Sequence, residues 1–224
     1  MQIVINHLTR MQPGFFCAAG LELKTGLHIR PLMEGGLHTN LLAREGGPFE
    51  LGAILDLGPT RFTGRAPEIE DRNFERTNLK RVGQMNPVEF RQQIAATAKN
   101  SLTEIFGSEL NRMGLTRALA ENTGIHSLGC CWAADCQLTV VKRESGPRLK
   151  LQWRDQDDEL FTAVADLRFY EADHRTLNAT AIDLANKQLS TQDRTLLSVG
   201  LSRPYHKSES EPPMHWLQVN NVFS

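Results

Sequence analysis

The sequence lacks the long apolar runs and the charge imbalance that mark several classes of protein. Its 224 residues carry 25 Lys and Arg against 26 Asp and Glu, which excludes a globally cationic nucleic-acid binder. No run approaches the roughly 20 apolar residues that a membrane-spanning helix needs. Residues 1–7 lack the basic and apolar pattern of a signal peptide. These absences predict a cytoplasmic protein with no membrane partner.

Dense cysteines and recognisable catalytic motifs are also missing. Four cysteines in a chain of this length are too few for a disulfide scaffold, which agrees with a reducing compartment. The sequence has no phosphate-binding glycine loop, no nucleophile elbow and no zinc-protease motif. We therefore expect no catalytic residues and no cofactor, although an active site assembled from distant residues would leave no such motif.

One short segment contains residues typical of metal ligands. His126, Cys130, Cys131 and Cys136 lie within eleven residues, but they lack the Cys-x2-Cys pairs of common structural zinc sites. Adjacent cysteines on a strand also point to opposite faces. Cys17 lies in an apolar run, where the pKa of a thiol rises and its reactivity falls. The sequence therefore predicts buried structural cysteines and no metal site.

The order of the predicted elements divides the chain into three regions. Residues 1–85 predict short strands with Gly-rich connections, including a hairpin that turns at Gly26. Residues 86–124 predict a helical insert. Residues 125–224 return to strands and contain one helix. This order predicts an α+β fold that is predominantly antiparallel β, with a small sheet at each end of the chain.

Helix signals define the insert. The pairs Asn86 with Glu89 and Ser101 with Glu104 have the spacing of capping boxes. Residues 115–122 predict a further short helix that ends before a glycine.

A local excess of basic residues lies in the third region. Residues 137–154 predict a β-hairpin, and alternation along its second strand puts apolar side chains on one face and basic ones on the other. The basic residues of this strip are Lys142, Arg143, Arg148, Lys150 and Arg154. Such a strip suits a phosphate backbone, through attraction and counterion release. The alternative is a solvated outer face whose charges pair with the acidic residues at 155–159.

Two further arginines are candidates for the same role. Arg10 precedes Phe15 and Phe16, and an aromatic ring beside an arginine would offer a platform on which unpaired bases stack. Only one of two adjacent phenylalanines can face outward on a regular strand. Arg203 lies where a predicted strand becomes a loop. We expect both arginines to contribute to nucleic-acid binding.

Short motifs near both ends of the chain resemble the dual-OB domain family of bacterial proteins. The matching segments are IVINHLTR at 3–10, FCAAG at 16–20, HIRP at 28–31, LLSVGLSRP at 196–204 and HWLQVN at 215–220. His28 replaces the tryptophan of the usual Trp-Ile-Arg-Pro pattern. The resemblance implies two OB-like barrels, a nucleic-acid-binding role and an association with bacterial defence or mobile-element systems. It brings no established activity and no catalytic residues.

The resemblance also singles out individual positions, which are Thr9, Cys17, Gly20, Arg30 and Pro31. Of these, Arg30 is the residue that we expect to be functional. The alternative is that Arg30 is buried against a carboxylate and ties the two barrels together. OB barrels present strands and loops to single-stranded nucleic acid, and this agrees with the basic strip.

The residues and the resemblance together predict a non-catalytic module that binds nucleic acid, with single-stranded DNA or RNA favoured. Two alternatives stay open. One is a protein-interaction module that scaffolds a larger complex, and the other is a sensor that binds a small nucleotide in a pocket between the barrels.

Overall fold

A computed structural model describes residues 1–144, 146–207 and 212–223. Within these residues the chain is mostly β and forms two sheets, one a closed five-stranded barrel and the other a half-barrel, with few helices. The predicted fold class, two OB-like barrels with a helical insert, is confirmed. Among the described residues, no helix has the length and apolarity needed to cross a lipid bilayer.

The first half of the chain forms the half-barrel. Its strands are β1 (Gln2–Arg10), β2 (Phe15–Glu22), β3 (His28–Leu32), β4 (Leu37–His38), β5 (Ala53–Asp56), β6 (Thr60–Phe62), β7 (Asp71–Phe74) and β8 (Lys80–Gln84). They follow the order β6-β7-β3-β2-β1-β5-β8, with β4 beside β2, and β3 and β7 pair in parallel. Ile3, Ile5, Phe16, Phe49 and Leu55 are part of the apolar core.

Two helices follow the half-barrel, α1 (Pro87–Thr97) and α2 (Leu102–Phe106). The side chain of Asn86 accepts a hydrogen bond from the backbone N–H of Glu89, and Ser101 does the same for Glu104. The predicted helix starts are therefore confirmed, because these side chains satisfy N–H groups that the first helical turn leaves unpaired.

The prediction of a helix over 115–122 is wrong. This segment instead contains β10 (Thr116–Ala120), which forms a hairpin with β9 (Asn111–Met113) through Gly114 at a φ of 67°. Residues 118–120 pair with residues 214–216 of the last strand. The backbone hydrogen-bond partners of this segment come from a distant strand, which a prediction from local helix propensity does not take into account.

The last part of the chain forms the closed barrel. Its elements are β11 (Leu128–Val141), β12 (Arg148–Asp155), β13 (Asp158–Val164), α3 (Ala179–Leu189), β14 (Thr195–Leu201) and β15 (Met214–Phe223). The strands follow the order β13-β12-β11-β14-β15, and a parallel pairing between β13 and β15 closes the barrel. Leu151, Trp153, Leu160, Leu197 and Val219 belong to its core. A closed five-stranded barrel of this kind is the OB fold.

The two halves meet through bulged strands. The register between β1 and β2 shifts between Ile5 and His7, so Asn6 is the extra residue of a bulge. The register between β14 and β15 shifts in the same way and leaves Asn220 as the extra residue. Both asparagines are buried.

Polar side chains around these bulges satisfy backbone groups of the opposite half. The side chain of Asn221 accepts a hydrogen bond from the N–H of Leu8 at 2.8 Å and donates to the carbonyl of Leu8 at 3.4 Å. The hydroxyl of Ser198 donates to the carbonyl of Asn6 at 2.9 Å. If the two halves separated, these backbone groups would lose their hydrogen-bond partners.

Glu70 makes a second tie between the halves. Its carboxylate is 3% exposed and accepts hydrogen bonds from the hydroxyl and N–H of Ser127 and from the N–H of Leu128. The Nδ1 atom of His126 lies 3.3 Å away. Burial by itself raises the pKa of Glu70, but the hydrogen bonds from His126 and Ser127 outweigh it and hold the pKa below its ordinary value.

We predict that Glu70→Gln lowers the free energy of unfolding by about 3 kcal/mol at pH 7, because the amide presents N–H groups to the donors of residues 127 and 128. The carboxylate stabilises the fold at pH values above about 4.3, and this contribution is lost as the pH falls through the lower folded-state pKa. Urea unfolding at several pH values should therefore show the gap between wild type and variant closing in acid.

Glu75→Gln is the matched control because Glu75 is exposed, and its effect should stay within about 0.5 kcal/mol. An equal loss of stability in both variants would contradict a role of Glu70 in joining the two halves. So would a stability difference between wild type and Glu70→Gln that does not change with pH.

Candidate nucleic-acid interface

Three residues of the basic strip, Arg148, Lys150 and Arg154, lie on β12 with the alternation that the sequence predicts, and Lys142 and Arg143 lie in the loop before it. Arg148, Gln152 and Arg154 are exposed and Lys150 is half-buried, whereas the residues between them are buried. The outer face of the strand is therefore basic and polar, and its inner face belongs to the barrel core.

Two of the acids that follow the strip are engaged elsewhere in the fold. Asp158 accepts hydrogen bonds from Arg112 and Arg117, which come from the β9–β10 hairpin. Asp155 accepts from the N–H of Leu102 at the start of α2. Glu159, by contrast, lies opposite Arg154 on β13 and accepts a hydrogen bond from Gln152. Asp155 and Asp158 therefore do not neutralise the strip, whereas Glu159 lies beside its Arg154 end.

The basic residues of β12 have weak partners of their own. Arg154 forms an exposed ion pair of 3.0 Å with Asp135, and such pairs contribute little and exchange readily with solvent. Lys150 lies 4.8 Å from the centre of the Phe161 ring. Arg148 forms no ion pair with any residue that the structure describes. The strip is thus available to an anionic ligand.

Two aromatic rings lie beside these charges. Phe161 is opposite Gln152 on β13 and is half-buried, and Tyr205 is 46% exposed in the loop after β14. Burial raises the pKa of Tyr205, and the positive charge of Arg148 partly opposes that rise. Rings next to cations form the kind of surface on which unpaired bases stack.

The position of this surface in the barrel is informative. OB folds bind oligonucleotides on the face of their second and third strands and with the loops after the first and fourth strands. In the closed barrel these are β12, β13 and the loops after β11 and β14. Lys142 and Arg143 are exposed in the first loop, and Tyr205 lies in the second.

A groove joins the half-barrel to this surface. It has a volume of 620 Å³, and both Arg10 and Arg148 line it. The guanidinium of Arg10 lies 4.4 Å from the centre of the Tyr170 ring and donates to the carbonyl of His174. The structure thus brings Arg10 to the strip, although the two are far apart in the sequence.

Arg30 and Arg203 belong to a separate network. The Nε atom of Arg30 donates to Asp71 at 2.6 Å, and both side chains are buried. Arg203, which is half-exposed, bridges Glu68 and Asp71 at 2.7 Å each. Arg30 is therefore buried against a carboxylate, as the alternative expects, but Asp71 belongs to the same half. The contact between the halves is made by Arg203. A nucleic-acid role for the two arginines stays a prediction.

This network borders a pocket of 300 Å³ between the halves. Thr9, Arg30, Arg203 and Asn220 are among its lining residues. The Nη2 atom of Arg30 is buried and has no hydrogen-bond partner within the described chain.

The model of one protein family, described as the dual OB-containing domain (DuOB), matches residues 1–222. The chain belongs to this family. The predicted resemblance is confirmed, and the match extends over the helices between the barrels as well as over both ends. No curated protein and no solved structure matches the chain.

The DuOB fold explains one of the motif positions directly. A Cβ atom at position 20 would lie 2.6 Å from the carbonyl oxygen of Val4, so Gly20 is the residue that lets β1 and β2 approach.

Sequence reasoning singled out residues 203–207, which contain Tyr205, as a basic and aromatic candidate, but it missed Phe161. Alternation along residues 158–164 was enough to place Phe161 on the outer face of its strand. Finding that this face adjoins Arg148 and Tyr205 required the order of the strands in the barrel.

We predict that Arg30→Gln lowers the free energy of unfolding by about 3 kcal/mol, since it removes one partner of a buried ion pair. Arg61→Gln on β6 is the control, because Arg61 is exposed. Urea denaturation of the two variants gives the comparison. If Arg30→Gln and Arg61→Gln were equally stable, Arg30 would not stabilise the fold, and a direct role of Arg30 in binding would be favoured.

Proposed function

We propose that this DuOB chain is a non-catalytic module that binds single-stranded nucleic acid on the β12–β13 face. This face consists of Arg148, Lys150, Gln152, Arg154 and Phe161. The observation that carries the proposal is the adjacency of weakly paired basic side chains and the Phe161 ring on the strands that OB folds use for oligonucleotides.

The charge of the whole chain requires that binding be local. With a formal net charge of −1, the protein has no long-range attraction for a polyanion. The β12–β13 face and the loop residues Lys142 and Arg143 therefore supply the contacts to phosphates. Arg10 extends the basic surface across the groove toward the half-barrel.

The aromatic rings favour single strands over duplexes. Bases in a duplex are stacked on each other and hide their faces, whereas an unpaired base can stack on Phe161 or Tyr205. This contact does not depend on the identity of the sugar, so DNA and RNA are both expected ligands. A role in a bacterial defence or mobile-element system and a cytoplasmic location are further parts of the proposal, and they rest on the sequence.

We predict that replacing Arg148, Lys150 and Arg154 together by Ala weakens binding and reduces its dependence on salt. The slope of log K against log salt concentration should become shallower by about 2, because each phosphate contact on a single strand contributes about 0.7. Fluorescence anisotropy with labelled single- and double-stranded DNA and RNA across a salt series measures both quantities.

The matched control replaces Arg61, Arg65 and Lys80, which are exposed on the half-barrel, by Ala. This variant has the same net charge as the first and should keep the wild-type slope. Equal losses in the two triple variants would mean that binding follows total charge. No binding by the wild-type protein at low salt would overturn the proposal and favour a protein-interaction module.

A second prediction separates stacking from electrostatics. Phe161→Ala and Tyr205→Ala should each weaken single-strand binding by about 1–3 kcal/mol, which is roughly 5- to 150-fold, while the salt slope stays unchanged. Phe62→Ala is the control because Phe62 is 57% exposed on the half-barrel. If neither Phe161→Ala nor Tyr205→Ala weakens binding, the contact with nucleic acid is purely electrostatic.

The pocket between the halves favours a second candidate function, the binding of a small nucleotide. The unpaired Nη2 atom of Arg30 and the side chains of Thr9 and Asn220 offer polar contacts around a mostly apolar space. In the anisotropy assay, a mononucleotide that binds while oligonucleotides do not would favour this candidate.

A further inference from the structure

A compact group of metal-ligand types lies between the two halves, away from the β12–β13 face. His7 on β1, His28 on β3 and Cys130 on β11 each offer a ligand atom, and the three atoms lie within 4.8 Å of one another. His7 and Cys130 are 1% exposed. The half-barrel supplies the two histidines and the closed barrel supplies the cysteine.

The separation of His28 and Cys130 matches a tetrahedral zinc site, and the ligand atom of His7 lies within 4.8 Å of both. The Nε2 atom of His28 lies 3.6 Å from the Sγ atom of Cys130. The Nδ2 atom of Asn6 lies 3.2 Å from Nε2 of His28 and 3.3 Å from Sγ of Cys130. Zn–N bonds of about 2.0–2.1 Å and Zn–S bonds of about 2.3 Å at tetrahedral angles separate neighbouring ligands by about 3.3–3.6 Å.

Two buried atoms beside the group have no hydrogen-bond partner among the described residues. They are Oδ1 of Asn6 and Nε2 of His7. A hydrogen-bonded cluster without a metal, in which the Asn6 amide donates to His28 and Cys130, leaves both atoms unsatisfied at a cost that buried polar groups rarely carry. A rotation of the Asn6 amide by 180° turns Oδ1 toward His28 and Cys130.

Metal binding requires two neutral imidazole rings and a cysteine thiolate. A Zn²⁺ ion that binds Cys130 displaces the thiol proton, which leaves to solvent, and the charge of the ion stabilises the resulting thiolate.

We propose that the protein binds Zn²⁺ between its halves through His7, His28 and Cys130, with Oδ1 of Asn6 as the fourth ligand. A thiolate with two imidazoles selects zinc over magnesium or calcium. The Nδ1 atom of His7 lies 3.0 Å from the side-chain amide of Asn220. For Nε2 of His7 to bind the metal, Nδ1–H must donate to the oxygen of this amide, which requires a 180° rotation of the Asn220 amide and would orient the ring. A pocket of 360 Å³ lined by His28 and Cys130 provides access from solvent.

Such a site links β1 and β3 of one half to β11 of the other. The sequence does not indicate this site, because its ligands lie far apart along the chain. Cys131 and His126, which are near Cys130 in the sequence, are not part of it. Cys131 packs in the barrel core and His126 contacts Glu70.

The test begins with protein that has been stripped with a chelator and reloaded with Zn²⁺ or Co²⁺. We expect about one Zn²⁺ per chain by elemental analysis and, with Co²⁺, the visible bands and thiolate charge-transfer absorption of a tetrahedral site. Cys130→Ser should abolish the charge-transfer absorption, and His28→Ala should lower the metal content. Thermal unfolding of the wild type should shift upward when Zn²⁺ is added.

Cys136→Ser is the control, because Cys136 lies outside the group and the variant should keep the full cobalt spectrum. Circular dichroism verifies that each variant is folded. Folded wild-type protein that retains no zinc after reloading would overturn the proposal. So would a charge-transfer band that survives Cys130→Ser.

Discussion

Buried polar contacts between β1 and β15 are the constraint on which the rest of the structure depends. Asn6 and Asn220 are extra residues in these strands, and each bulge turns a polar side chain toward the opposite half. Asn221 and Ser198 then satisfy backbone groups of residues 8 and 6. Because unpaired backbone groups are costly when buried, these contacts require a specific alignment of the half-barrel and the closed barrel.

That alignment determines where the charges of a nearly neutral chain collect. Arg10 reaches the groove beside Arg148 only because β1 is docked on the closed barrel. The β9–β10 hairpin holds Asp158 through Arg112 and Arg117, so this acid does not neutralise β12. A basic surface next to accessible rings is the result, while Arg30 and Arg203 form ion pairs with carboxylates.

Much of this could be predicted from local patterns, and the failures have physical causes. Alternation along residues 148–154 and the capping residues Asn86 and Ser101 describe their own elements correctly, since the information is local. The segment 115–122 has good helix formers, but the edge of β15 offers it backbone partners that no local pattern contains. Tyr205 likewise comes from the loop after β14, and its position in the barrel does not follow from local pattern.

The most direct test of the account is a map of photochemical cross-links between the protein and a single-stranded oligonucleotide, read by mass spectrometry. The account predicts cross-linked peptides that contain Phe161 and Tyr205, with weaker labelling near Arg10. Cross-links confined to the strands β6 to β8 of the half-barrel, from an oligonucleotide that is demonstrably bound, would contradict it.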